Sequence, residues 1–178
     1  CDLDHFPGLP DRSLAGLRIA RLGGYFESPL HEDVRLALDD AFVRMHLDGA
    51  RLSNATVEGA ELASAIYFTV VHAEASCEHE DRLRRRADAL GEDVRLRLEI
   101  GSLLPAHWYH KAQRMRRRLA EVLDAQFDAA DVLVCATLRA PAPPIGATSV
   151  TIDGRQYSLH AGMADLTIPF SLAGLPAI

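Results

Sequence analysis

His72-Ala73-Glu74 is the first arrangement in this chain whose residue types could do chemistry. In zinc nucleoside deaminases a His-x-Glu of this kind supplies one metal ligand and the carboxylate that moves the proton, and a downstream Pro-Cys-x-x-Cys completes the zinc. Here Cys135 stands without a second thiol near it in sequence. The expected reading is therefore a helix whose His and Glu face a neighbouring element or solvent. His72 and His79 lie two turns apart and His107 and His110 one turn apart, so each pair would share a helix face. Two imidazoles make weak metal sites, and no metal or other cofactor is expected. Arg82 with Arg84 to Arg86, and Arg114 with Arg116 to Arg118, could meet phosphates. Only Trp108 and Tyr109 offer stacking surfaces nearby, and solvated helix faces commonly carry such runs, so direct nucleic-acid contact is not expected. Gly-x-Gly-x-x-Gly, Gly-x-x-x-x-Gly-Lys and Gly-x-Ser-x-Gly patterns are all absent, which removes support for a nucleotide cradle or a nucleophile elbow. These residues by themselves assemble no catalytic centre.

The elements that must position such residues belong to an ordinary globular chain. Its 178 residues carry 19 Lys+Arg against 25 Asp+Glu, a formal charge of −6, which excludes a general polyanion binder. With 48% hydrophobic residues the chain can bury a core without a metal or disulfide staple. Cys1, Cys77 and Cys135 are odd in number and far apart, which suits a reducing, cytoplasmic setting. No apolar run is long enough for a membrane span, and no signal-peptide pattern opens the chain. A first residue other than Met, and a last stretch Leu175 to Ile178 that reads as the start of a strand, suggest part of something longer.

Residues 1–13 read as irregular. The alternation from Gly16 to Leu22 predicts a strand closed at Gly23-Gly24, and Val34, Leu38, Ala41, Phe42 and Met45 predict a helix that ends at Gly49. Arg51 to Val57 reads as a second strand, which makes a strand, helix, strand unit. A long helix is expected from Gly59 toward Arg86, buried in its first half, and another from about Asp93 to a break at Pro105. Ala112, Met115, Leu119, Val122, Leu123 and Phe127 mark a third along one stripe. Val132 to Cys135 reads as a buried strand, and the prolines at 141, 143 and 144 as a stiff connection. Asp153-Gly154 predicts a hairpin between 148–152 and 156–160, and a last short helix is expected near 164–172. The fold class is α/β.

Several stretches, in order, resemble the C-terminal half of the amidase signature family of carbon–nitrogen amide hydrolases. They are Leu14 to Ile19, Tyr67 with Ala73-Glu74-Ala75-Ser76, Arg95 to Leu98 through Gly101-Ser102, and Lys111 to Arg114. Phe127 to Leu133, Pro141 to Gly146 and Thr167 to Ile178 continue the likeness. Together they span nearly the whole chain. Ala73 to Ser76, Arg82 to Arg86 and Leu103-Leu104-Pro105-Ala106 resemble most the hydrolases of carboxybiuret and related ureides, and next the A subunit of glutamyl-tRNA amidotransferase.

The resemblance implies that residues 1–178 are one C-terminal part of an amidase signature domain, a mixed sheet covered by helices, incomplete without an upstream catalytic core. Family members use a serine nucleophile, a second serine after a cis peptide, and a lysine. The serine attacks the amide carbonyl, the amine leaves, and water cleaves the acyl-enzyme. The glycine- and serine-rich loop of that machinery has no counterpart here, and Lys111 does not match the catalytic lysine, so no catalytic residue is assigned. By the same resemblance, Arg97 matches an arginine that holds the substrate carboxylate in the amidotransferase branch, a suitable role for a permanently charged planar fork. Tyr67 is a second substrate-binding candidate. Cys135-Ala136-Thr137 and Arg139 depart from a Thr-Pro-Thr-like pattern with another proline, and Asp165 falls one place from an acid that meets the substrate amine in the amidotransferase branch. The expected partners are a small amide substrate, the upstream part of the same chain, and a small accessory subunit or a second copy. A non-catalytic remnant that serves as a binding or scaffold module is the alternative from another class.

Overall fold

The computed structural model describes residues 13–159 and 165–178. The irregular opening segment expected over 1–13 lies almost wholly outside these residues.

At the centre is β1 (Arg18–Leu22), flanked on one side by β2 (Arg51–Ala55) and on the other by β3 (Val132–Val134). Both pairings are parallel, with Arg18 opposite Arg51 and Ile19 opposite Val132. A parallel neighbour requires a crossover. Between β1 and β2 it is α1 (Glu32–Leu47), whose first N–H groups are met by the His31 ring nitrogen accepting from Asp33 N at 3.2 Å. Successive β1 residues point to opposite faces of the sheet, so each face gathers its own core. Ile19 packs with Leu38, Phe42 and Ala50 beneath α1. Leu22 belongs to the larger cluster, with Phe26, Leu30, Ile66, Val70, Leu119 and Leu123.

Of the helices that follow, α2 (Ala63–Glu78) and α5 (Ala106–Asp124) supply that larger core, whereas α3 (Glu80–Arg85) buries no residue and α4 (Glu92–Ser102) packs on α2 outside the cluster. The expected single helix from Gly59 to Arg86 is interrupted at His79, whose φ of −104° and ψ of 14° fall outside the helical well. Helix α2 begins only after a 3₁₀ turn over Ala60–Leu62, because Gly59 at φ 84° must first turn the chain. Helix α5 likewise ends at Asp124, and Phe127 falls in a 3₁₀ turn over Ala125–Asp128. Helices α2 and α4 approach closely at Gly101, where an added Cβ would stand 2.0 Å from the His72 carbonyl oxygen.

The strand expected to be buried at Val132 is an edge strand, and Val132 is 38% exposed. Nothing among the described residues pairs beyond it. Strands β4 (Ser149–Ile152) and β5 (Arg155–Ser158) form the expected hairpin, antiparallel and separate from the parallel sheet. Its turn puts Asp153 at φ 50° and Gly154 at φ 73°, both left-handed, as a tight hairpin turn demands. The expected pairing of His160 lies outside the described residues. Helix α6 (Ile168–Ala173) starts later than anticipated, with Pro169 in its first turn, and closes on Gly174 at φ 75°. Its first expected position, Ala164, is also outside the described residues. Parallel and antiparallel pairings thus both occur, and helices cover the sheet, in an α/β architecture.

Candidate functional site

Buried charge marks one constellation. Arg139, 5% exposed, donates from Nε to Asp165 Oδ2 at 2.6 Å, and from its terminal nitrogens to the carbonyls of Pro29 and Tyr25 at 3.0 and 3.1 Å. Its guanidinium also stands 4.9 Å from the centre of the Tyr25 ring. The Tyr25 hydroxyl donates to the Asp165 carbonyl at 3.2 Å. Burial raises the Tyr25 pKa above its ordinary value, and the Asp165 charge raises it further. Asp165 Oδ1 is buried without a hydrogen-bond partner among the described residues. Three segments distant in sequence meet here: the turn after β1, the proline-rich connection, and the approach to α6. Arg139 stands out in the sequence only as a departure from a family proline, and Asp165 as an acid one place out of register. Neither signal links the two.

The His-x-Glu pair behaves as part of the scaffold. His72 is 7% exposed, its Nδ1 lies 2.7 Å from the Phe68 carbonyl, and its ring stacks on Phe68 at 4.0 Å. Glu74 accepts instead from the Tyr109 hydroxyl at 2.8 Å and from Gln113 Nε2 at 3.1 Å, which ties α2 to α5. That hydrogen bond to the carboxylate raises the Tyr109 pKa above its ordinary value. Burial pushes the Cys135 thiol up to about 11, which leaves it protonated and a poor nucleophile at neutral pH. Among the described residues no three His, Cys, Asp or Glu come together as a metal site.

The two residues singled out for substrate contact lie on adjacent helices. Arg97 is exposed on α4, with no hydrogen bond or ion pair among the described residues. Tyr67, on α2, is half-buried and packs against the larger core. The two arginine clusters differ. On α3, Arg84 pairs with Glu80 and Arg85 with Asp81, each one turn back, so half of the first run is paired at the solvent face. Among the described residues the α5 arginines have no such carboxylate partners.

Residues 4–178 match the amidase family model. The chain belongs to the amidase family. It is 31% identical over 174 residues to AtzE, a component of the 1-carboxybiuret hydrolase of Pseudomonas sp. (strain ADP), covering 97% of this chain and 37% of that protein. It is 30% identical over 192 residues to the A component of the glutamyl-tRNA(Gln) amidotransferase of Burkholderia mallei (strain SAVP1), covering 94% of this chain and 38% of the relative. A solved structure described as an unexpected vestigial protein complex that reveals the evolutionary origins of an s-triazine catabolic enzyme superposes with a TM-score of 0.82 at 32% identity. That match covers 91% of this chain and 35% of the other. The chain thus spans well under half the length of the relatives it matches. Among the described residues no helix is long and apolar enough to cross a membrane.

Proposed function

We propose that this chain is the C-terminal part of an amidase that hydrolyses a carbon–nitrogen bond of a small amide or ureide of the carboxybiuret kind. On this reading the two catalytic serines and the lysine lie upstream in the same polypeptide. The observation that carries it is the likeness to the carboxybiuret hydrolase component, which runs along nearly all of this chain and little more than a third of that relative. The architecture agrees. Parallel sheets are found with both faces covered and their strands flanked, whereas Arg51 to Asn54 of β2 are all exposed at the edge of the sheet. An upstream catalytic core would continue the sheet there.

Arg97 is the candidate for holding a substrate carboxylate, since its guanidinium is exposed, permanently charged and not committed to another described residue. Tyr67 would contribute to the wall of the same pocket. No cofactor enters the proposed chemistry, and a cytoplasmic location fits a chain whose cysteines need no pairing. The intact protein should release ammonia from 1-carboxybiuret, and Arg97→Ala should raise KM more than it lowers kcat. Intact protein that leaves 1-carboxybiuret untouched would sink the ureide assignment, and an unchanged KM in the variant would remove Arg97 from the pocket.

A second reading, the amide-cleaving component of a tRNA-dependent amidotransferase, draws on the 30% identity to that protein. Copurification with a tRNA-binding partner, and ammonia passed to a tRNA-bound glutamate, would select it. Association with a small accessory subunit is part of either reading, and a second copy of the chain is the other candidate partner.

A further inference from the structure

Helices α5 and α6 leave between them a groove of about 640 Å³. Its floor is small and apolar, from Ala120, Leu172 and Ala173, and its walls are cationic. His110, Arg114 and Arg117 follow one another at one-turn intervals along α5, so they share the face that borders the groove. No carboxylate lines it among the described residues. This contrasts with the rest of an acidic protein of charge −6, and with α3, where Arg84 and Arg85 each have an opposite charge a turn away.

Arg116 makes the groove more than a solvated stripe. It is half-buried, and its Nε donates to the Leu172 carbonyl at 2.7 Å, near the C-terminal end of α6. One terminal nitrogen rests 3.5 Å from Gln113 Oε1. The guanidinium is therefore held in place by α6, and its remaining donors need not be ordered again when a ligand arrives. Arg114 and Arg117 are exposed and make no ion pair among the described residues, so their charges are not neutralised in place.

We propose that this groove is a binding site for a small molecule bearing two oxyanion groups, a diphosphate or a dicarboxylate. Arg116 is the fixed donor. Arg114 and Arg117 close over the ligand from the exposed side, with His110 at the groove's N-terminal end. Guanidinium forks suit phosphate and carboxylate oxygens equally, because both present paired acceptors in a plane that two parallel N–H bonds can reach. A compact cationic groove also favours a ligand with a short bridge, carbon or oxygen, between its charged ends.

The test is calorimetric titration of the full-length protein at low ionic strength with pyrophosphate in one arm and succinate in the other. One-site, saturable binding is expected in at least one arm, and the tighter arm identifies the kind of oxyanion. Replacing both Arg114→Ala and Arg117→Ala should weaken that binding about tenfold or more, as expected when two charge-assisted contacts are lost. Arg84→Ala, which removes an equally exposed arginine already paired with Glu80, should leave it unchanged. Both substituted positions on α5 are solvent-facing, so the double variant should fold, and an unchanged melting temperature checks this. Absence of saturable heat in both arms overturns the proposal. So does equal binding by the double variant, or an Arg84→Ala effect as large as that of the double variant, which would mark general Coulombic attraction.

Discussion

The Arg139–Asp165 pair shows how one buried ion pair can join three segments. A lone buried guanidinium would be costly to desolvate, but here it has a carboxylate and two carbonyls within hydrogen-bond reach and an aromatic face beside it. Removing the arginine leaves Asp165 buried with neither oxygen served by a cation, which is the expensive half of such a pair. Arg139→Ala should therefore cost about 3–5 kcal/mol of stability by denaturant unfolding. Adding Asp165→Ala to it should restore part of that loss, since the orphaned charge goes too. A single-variant loss under about 1 kcal/mol would mean the pair is not what holds the connection to the turn after β1. At the surface the logic differs. The Arg18–Asp131 bridge, at 2.6 Å, links β1 to the start of β3, and its hydrogen bonds lower the Asp131 pKa below its ordinary 3.8. Any stability it gives is present above that ordinary value and lost as the pH falls through the lowered one, and both side chains are too exposed for the sum to be large.

Between elements, the tightest glycine contact among the described residues joins α4 to α2. At Gly101 a methyl group would overlap the His72 carbonyl at 2.0 Å and reach Ser76 Oγ at 2.9 Å. Backbone cannot swing aside as a side-chain tip does, so α4 would have to lift from α2. Gly101→Ala should cost about 2 kcal/mol or more, despite the better helix propensity of alanine. Thermal unfolding of the full-length variant checks it, and a neutral or stabilising result would show that the two helices have room to separate. This contact was not legible in the sequence, where a glycine inside a helical pattern reads only as a weak helix former. Long amphipathic stripes were legible: the stripe from Ala112 to Leu123 sits in α5 as expected, because burial of one helix face leaves a periodic trace. The stop at His79 was not, since no proline or glycine announces it. Arg139 and Asp165 stand 26 residues apart with nothing between to pair them. The arginine runs on α3 and α5 look alike in sequence, and only the pairing of Arg84 and Arg85 separates them. Arg97 and Tyr67 came from likeness to a family, and composition or periodicity would have passed over both.

For the molecule as a whole the decisive feature is what β2 and α1 leave open. Helix α1 buries Leu38 and Phe42 against the sheet, yet Leu36, Val43 and Leu47 are 58%, 57% and 80% exposed at spacings of seven and four, a second stripe on the same helix. Phe42, Val43, Leu47 and Leu52 border a shallow groove of about 360 Å³ beside the free edge of β2. Scattered exposed apolar residues need no explanation, but a stripe next to an unpaired parallel edge is what the proposed incomplete sheet would present. If the upstream core continues the sheet, the alternate β2 amides that face away from β1 gain acceptors that the 178-residue segment cannot supply, while Arg51 N already donates to the Leu17 carbonyl at 2.8 Å. Hydrogen exchange should then be much slower over 51–55 in the full-length protein than in the segment expressed alone, with the β1 amides far less affected because β1 is already flanked on both sides. On the same premise, Val43→Lys with Leu47→Lys should destabilise the full-length protein while making the isolated segment more soluble, since the stripe would be interface in one and exposed surface in the other. Equal exchange over 51–55 in both forms would mean that nothing pairs with this edge, and the catalytic part would have to meet the segment across another face.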